Sequence, residues 1–150
     1  MEKKKMITKA VRMYGKNDLR LEEFSLPEIK DDEILVKVIS DSICMSTYKE
    51  SKQGSDHKRV PQGIDVHPVI VGHETAGDIV KVGSKWQHKY HVGDKFSLQP
   101  ALTYKGKNYT VGYSYEKCGG ACTYAIVPAE VMYTDSLLQY KGKAYYEASL

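Results

Sequence analysis

The chain has few cysteines, no long apolar run and no secretion signal. Three cysteines are too few, and odd in number, for a disulfide framework. No stretch approaches the roughly 20 apolar residues that a membrane helix requires. The basic start, residues 1–5, is not followed by the apolar core of a signal peptide. We therefore predict a cytoplasmic protein with no membrane partner.

An excess of one charge is also lacking. The sequence carries 22 basic and 19 acidic side chains, a net charge of +3, and mixes the two signs along its length. This balance is typical of a solvated surface and excludes the basic footprint of a nucleic-acid-binding protein. With 41% hydrophobic residues, residues 1–150 suit one globular domain.

A dinucleotide-binding unit is the third absence. No Gly-x-Gly-x-x-Gly follows a predicted strand, and no series of strand–helix units is present to build a parallel sheet. We therefore assign no cofactor-binding residue in this chain.

Most of the sequence consists of short strand patterns separated by glycine and proline. Such a pattern favours a mainly β barrel or sandwich. We predict a hairpin from strands at 7–14 and 19–24, further strands at 33–43, 93–98 and 123–127, and a central strand that directly follows His73-Glu74 and is led into by residues 69–71. We also predict a short helix that is capped by Ser46 or Thr47, runs to about Gln53 and stops at Gly54, an irregular segment at 104–120, and a helix that begins near 144.

The most informative stretch is the pair His73-Glu74 between Gly72 and Gly77. The glycines allow a tight turn or a close backbone approach. An isolated histidine is usually an ordinary packed side chain. Here Cys44 lies upstream, and a thiolate, an imidazole and a carboxylate are all zinc ligands.

The motif GHETAGDIVKVG, the later HVGDKF and the upstream SICMST together resemble the zinc-containing medium-chain alcohol and polyol dehydrogenases. The similarity extends from about residue 10 to the end. It implies a GroES-like, partly open β barrel with a few short helices, which is the catalytic domain of that family. It also implies that the dinucleotide-binding (Rossmann) domain follows this region, so we expect a catalytic-domain fragment that is inactive by itself.

The resemblance assigns roles to four residues. Cys44 and His73 correspond to zinc ligands, and Ser46 corresponds to a proton-relay hydroxyl, a role compatible with capping the helix. Glu74 is either a ligand or a residue behind the metal. The implied reaction is hydride transfer between an alcohol carbon and NAD or NADP, with one catalytic zinc as Lewis acid. The family's third ligand lies a few residues into the helix that begins near 144, so we expect an incomplete site.

Two positions depart from the family pattern. Thr47 occupies the place of an aspartate that orients the histidine ligand, so the metal affinity is expected to differ. Lys49 occupies the place of the histidine that ends the relay. It is either an ordinary solvated lysine or a contact for an anionic substrate.

The structural zinc lobe of many family members is not expected here, because residues 98–117 contain no cysteine. Cys118 and Cys122 are not spaced as a CxxC pair and are predicted to be core or loop residues. His88 and His91 are predicted to lie in an exposed loop.

The substrate class comes from the resemblance alone. Residues 19–46 and 85–109 resemble the sorbose 1-phosphate reductase group, which implies a polyol or sugar-phosphate substrate and a homo-oligomeric whole enzyme. The lysines between 49 and 59 fit either a phosphorylated substrate or a solvated loop. A metal-free GroES-like binding module is the alternative, and it predicts that Cys44 and His73 lie apart. Zinc-free quinone-reductase-like relatives usually lack both of these residues.

Overall fold

A computed structural model of the chain describes residues 5–149. In this range the strands are β1 (Met6–Gly15), β2 (Asp18–Leu26), β3 (Ile34–Asp41), β4 (Val69–Ile70), β5 (Thr75–Val82), β6 (Lys95–Leu98), β7 (Ala101–Tyr104), β8 (Lys107–Thr110), β9 (Tyr124–Val127) and β10 (Leu137–Gln139). The helices are α1 (Met45–Gln53), α2 (Ala129–Tyr133) and α3 (Tyr145–Ala148). Single 3₁₀ turns occupy Gly54–Asp56 and Ser84–Trp86.

The strands form two antiparallel sheets and a separate hairpin. The larger sheet has the order β10-β6-β5-β3-β9, the smaller has the order β2-β1-β4, and β7 pairs with β8. The segment before β9 joins the two sheets, because Ala121 O accepts from Val11 N at 2.8 Å and Thr123 O accepts from Val38 N at 3.0 Å. These cross-links produce a partly open barrel, so the predicted mainly β architecture is confirmed.

Apolar side chains on both faces of the larger sheet form the cores. Ile34 and Val36 of β3 face the main cluster with Phe96, while Leu35 between them packs with Leu26 on the opposite face. Each side chain of this size stabilises the fold by about 1.5–3 kcal/mol when it is fully buried. Burial on both faces explains the nearly continuous apolar run at the start of β3.

The predicted irregular segment at 104–120 is wrong in its first part. Strands β7 and β8 form a hairpin whose two-residue turn consists of Lys105 and Gly106, with φ of 49° and 76°. Positive φ at both positions defines a type I′ turn, for which Asn-Gly or Asp-Gly is the usual sequence signal. Because lysine occupies the first turn position, this signal is absent from the sequence and the hairpin was not predicted.

The remaining differences concern short elements. The predicted strand before Pro128 is confirmed as β9, but the one-turn helix α2 and the three-residue strand β10 were not predicted. Elements of three to five residues are too short to show a period in the sequence. Among the described residues, no helix has the length and apolar character needed to cross a membrane.

Candidate metal centre

The end of strand β3 and the start of helix α1 position Cys44. Its backbone is extended, with φ −112° and ψ 139°, and its Sγ accepts a hydrogen bond from Ser46 N at 3.5 Å. Cys44 is therefore the N-cap of α1, and the predicted caps Ser46 and Thr47 are wrong. The helix begins at Met45, which places both hydroxyl residues inside its first turn. The cap puts the sulfur at the positive end of the helix dipole, where a negative charge is stabilised.

Two glycines position His73 and Glu74 just before strand β5. Gly72 has φ +93°, and a Cβ on it would lie 2.5 Å from Asp41 Oδ2. A Cβ on Gly77 would clash with the carbonyl of Lys37 on the neighbouring strand. Both positions need glycine for close backbone approach, as the motif predicted.

The structure brings Cys44, His73 and Glu74 together. One ligand-type atom from each residue, a sulfur, a ring nitrogen and a carboxylate oxygen, lies within 4.8 Å of the others. All three residues are half-buried. The separation of Cys44 from His73 that a metal-free module predicts is not observed.

The surroundings of His73 fit a metal ion. Its Nδ1 is buried and has no hydrogen-bond partner among the described residues. Burial lowers the pKa of His73, with Glu74 opposing this shift and the charge of Arg59 adding to it. The imidazole is thus neutral near pH 7, the form that binds metal. A buried nitrogen without a partner is rare in folded proteins, and a cation would satisfy such a lone pair.

Ser46 and Tyr113 lie beside the Cys44 sulfur. The Cys44 thiol donates to Ser46 Oγ at 3.4 Å, so the predicted relay hydroxyl lies next to the cluster. The ring of Tyr113 packs on His73 with centroids 5.6 Å apart. Burial and the charge of Glu50 raise the pKa of Tyr113, while a side-chain hydrogen bond with Ser46 lowers it. Sequence reasoning missed Tyr113 because it lies in an irregular segment.

Asp41, near Cys44 in the chain, forms hydrogen bonds to the segment that carries His73 and Glu74. The sequence analysis did not identify it as part of the centre. Its Oδ1 accepts from Glu74 N at 3.2 Å and from the Thr75 hydroxyl at 3.3 Å. Burial raises the pKa of this carboxyl to about 6, opposed by those two hydrogen bonds. The only sequence signal was an aspartate at the end of a β-branched strand.

Glu50 is the most unusual neighbour. It lies one helical turn after Ser46 on α1, is 0% exposed, and has no hydrogen-bond partner for either carboxyl oxygen among the described residues. Burial raises the pKa of Glu50 to about 8, so the carboxyl is mostly protonated at pH 7.

The other predicted positions lie outside the cluster. Lys49 is exposed on α1, and Thr47 makes no side-chain hydrogen bond to His73 in the described structure. His88 and His91 are exposed, as predicted. Cys118 is buried in the main core and Cys122 is half-buried, and neither forms a disulfide.

Known proteins are similar to this chain in sequence. It is 47% identical over 143 residues to L-sorbose 1-phosphate reductase of Klebsiella pneumoniae and 48% identical over 143 residues to mannitol-1-phosphate 5-dehydrogenase of Aliivibrio fischeri. Each alignment covers 95% of this chain but only 35% and 34% of those proteins, so the chain spans about a third of their length.

A solved structure has the same architecture. The chain aligns with 2R,3R-butanediol dehydrogenase from Bacillus subtilis at a TM-score of 0.79 and 25% identity, covering 95% of this chain and 43% of that one. Residues 30–135 match the alcohol dehydrogenase GroES-like domain, and the chain therefore belongs to that family.

Proposed function

We propose that residues 1–150 form the catalytic domain of a zinc-dependent NAD(P) oxidoreductase that interconverts a polyol or sugar phosphate with its ketone or aldehyde. The convergence of Cys44, His73 and Glu74 carries this proposal. The names of the two sugar-phosphate relatives support the substrate class. The three free cysteines fit a reducing, cytoplasmic setting.

Each residue of the centre has a specific role in the proposed reaction. Cys44 and His73 would hold the zinc ion, and Glu74 would either bind it or lie behind it. Zinc supplies Lewis acidity, which makes the hydroxyl of a bound alcohol easier to deprotonate. Ser46, beside the sulfur, would take up the released proton while its own hydroxyl proton passes on towards solvent, and Tyr113 lies next to it. The nicotinamide cofactor is bound by a part of the enzyme outside these residues.

Zinc per chain, measured by elemental analysis after dialysis, tests the proposal. We expect about one zinc ion in the wild type, because Cys44, His73 and Glu74 together offer three ligand atoms even without the family's third ligand. We expect its loss in Cys44→Ser, because a serine hydroxyl is a poor zinc ligand. Serine still caps α1, so the fold is retained and thermal unfolding can confirm it. The matched control is Cys122→Ser, which changes a cysteine outside the cluster and should keep the zinc. A wild type that binds no zinc, or a Cys44→Ser variant that retains it, would contradict the proposal.

A further inference from the structure

A second set of polar groups lies beside the metal centre, in a pocket of about 420 Å³. The segment Lys58-Arg59 forms one wall, and residues 101–103 and 108–110 of the β7–β8 hairpin form the other. None of these lining residues is acidic. Two cations without a neighbouring carboxylate create a positive potential that attracts an anion.

The charged groups of this pocket have no partners that would compete with a ligand. Lys58 and Arg59 are exposed, and none of the ion pairs among residues 5–149 includes either of them. Thr103 Oγ1 donates to Asn108 Oδ1 at 2.7 Å, which directs the amide NH₂ of Asn108 away from Thr103. That NH₂ group makes no hydrogen bond within the described part of the chain, so it is available as a donor.

The backbone of the cationic wall is held in place. Arg59 N donates to His57 Nδ1 at 3.2 Å, and Arg59 O accepts from Ser114 Oγ at 2.9 Å. The next residue, Val60, is 5% exposed and packs in the same cluster as Tyr113. A wall fixed on both sides loses little conformational freedom when a ligand binds.

The chain segments that line the pocket continue towards the metal centre. Thr110 lines the pocket, and a Cβ on Gly112, two residues later, would lie 3.1 Å from His73 Cβ. On the cationic side, the ring of His57, two residues before Arg59, packs on Tyr113 with centroids 4.9 Å apart, and Tyr113 packs on His73 with centroids 5.6 Å apart. Both walls of the pocket therefore belong to segments that contact His73 or its neighbour Tyr113.

We propose that Lys58, Arg59 and Asn108 bind the phosphate group of a phosphorylated polyol or ketose whose reacting carbon lies at the cluster of Cys44 and His73. The guanidinium and ammonium groups provide the charge-assisted hydrogen bonds that phosphate oxygens favour. This assignment rests on the proposed function and names the residues that select a phosphorylated substrate over a neutral polyol.

The first test compares glucitol 6-phosphate with glucitol. Each is titrated into the zinc-loaded chain at constant ionic strength, and the backbone and side-chain NMR signals of Arg59 and Asn108 are followed. We expect the phosphate ester to shift these signals and to bind at least about tenfold more tightly than glucitol, with inorganic phosphate competing for the same signals. Equal affinities overturn the proposal. A shift produced by NADP but not by glucitol 6-phosphate overturns it too, since the pocket would then hold a cofactor phosphate.

Charge-matched variants form the second test. Arg59→Gln and Lys58→Gln should each weaken glucitol 6-phosphate binding by about tenfold. Lys81→Gln removes the same charge from an exposed position on β5 and should leave binding unchanged. An equal loss in Lys81→Gln would mean that net charge alone attracts the ester, which overturns the proposal.

Zinc content separates this proposal from the proposed function. Both pocket variants should keep the zinc, because neither residue belongs to the cluster. If zinc binds and the ester does not, the phosphate pocket is wrong and the metal centre stands. If the ester binds at Arg59 and zinc does not bind, the pocket stands as an anion site and the proposed function fails.

Discussion

At the scale of single residues, Asp41 links the two chain segments that supply the metal centre. One of its oxygens accepts from the backbone of Glu74 and from the Thr75 hydroxyl, while Asp41 itself ends the strand that leads to Cys44. Glu74 O in turn accepts from Ser42 N at 3.0 Å. These bonds fix the relative position of the cysteine and the His-Glu pair, which makes Asp41 a positioning residue.

Asp41→Ala is expected to lower both stability and zinc affinity. It leaves the Glu74 N–H and the Thr75 hydroxyl without their acceptor, at a cost of about 1–3 kcal/mol for a buried group. Asp41→Asn is the matched control, since it keeps the size and one acceptor oxygen. Urea unfolding and competition with a chelator measure the two effects. If the alanine and asparagine variants behave alike in both assays, the hydrogen bonds of Asp41 do not position the centre.

At the scale of elements, the β7–β8 hairpin carries an unfavourable residue in its turn. Lys105 has φ 49°, a conformation that costs most side chains about 1–2 kcal/mol and that asparagine tolerates better. The hairpin supplies one wall of the phosphate pocket, so its stability bears on the pocket as well as on the fold.

Lys105→Asn should therefore raise the free energy of unfolding by about 0.5–1 kcal/mol, because Asn-Gly is a favoured type I′ pair. Lys107→Asn makes the same chemical change at an exposed strand position of the same hairpin, where asparagine is disfavoured, and should give no gain. The denaturant midpoints of the two variants and the wild type measure these differences in stability. A gain of equal size in both variants would show that loss of a lysine charge, not turn geometry, is responsible.

At the scale of the whole molecule, Glu50 makes global stability depend on pH. Its carboxyl is neutral in the fold up to a pKa of about 8, whereas an exposed glutamate has an ordinary pKa of 4.5. Between these values the folded state binds more protons than the unfolded state, so the free energy of unfolding falls as pH rises and levels off above about pH 8. Burial of a carboxyl without a hydrogen-bond partner is the physical cause.

Glu50→Gln removes this titration and keeps the size of the side chain. We expect the variant to be more stable than the wild type at pH 7, by about 3 kcal/mol, and equal to it near pH 4.5. Urea unfolding from pH 4.5 to 9 measures the slopes. Glu23→Gln, at an exposed position on β2, is the control and should follow the wild type. Parallel pH profiles for Glu50→Gln and the wild type would show that Glu50 is not buried in its neutral form.

Features that depend on neighbours along the chain could be predicted from the sequence. Alternating apolar residues and turn residues predicted the first hairpin, and Gly54 predicted the end of α1. The Gly-His-Glu motif predicted the family, which the match at residues 30–135 confirms. These features are local because strand period, turn conformation and motif spacing are written in consecutive residues.

Contacts between groups that are distant in sequence could not be predicted and are seen only in the folded chain. The approach of Cys44 to His73, the hydrogen bonds of Asp41, and the burial of Glu50 each join segments that are far apart in sequence. Tyr113 comes from an irregular segment that carries no periodic signal, yet its ring packs on His73. Desolvation, hydrogen bonding and charge interactions act through space, so they become visible only when the strands have brought these segments together.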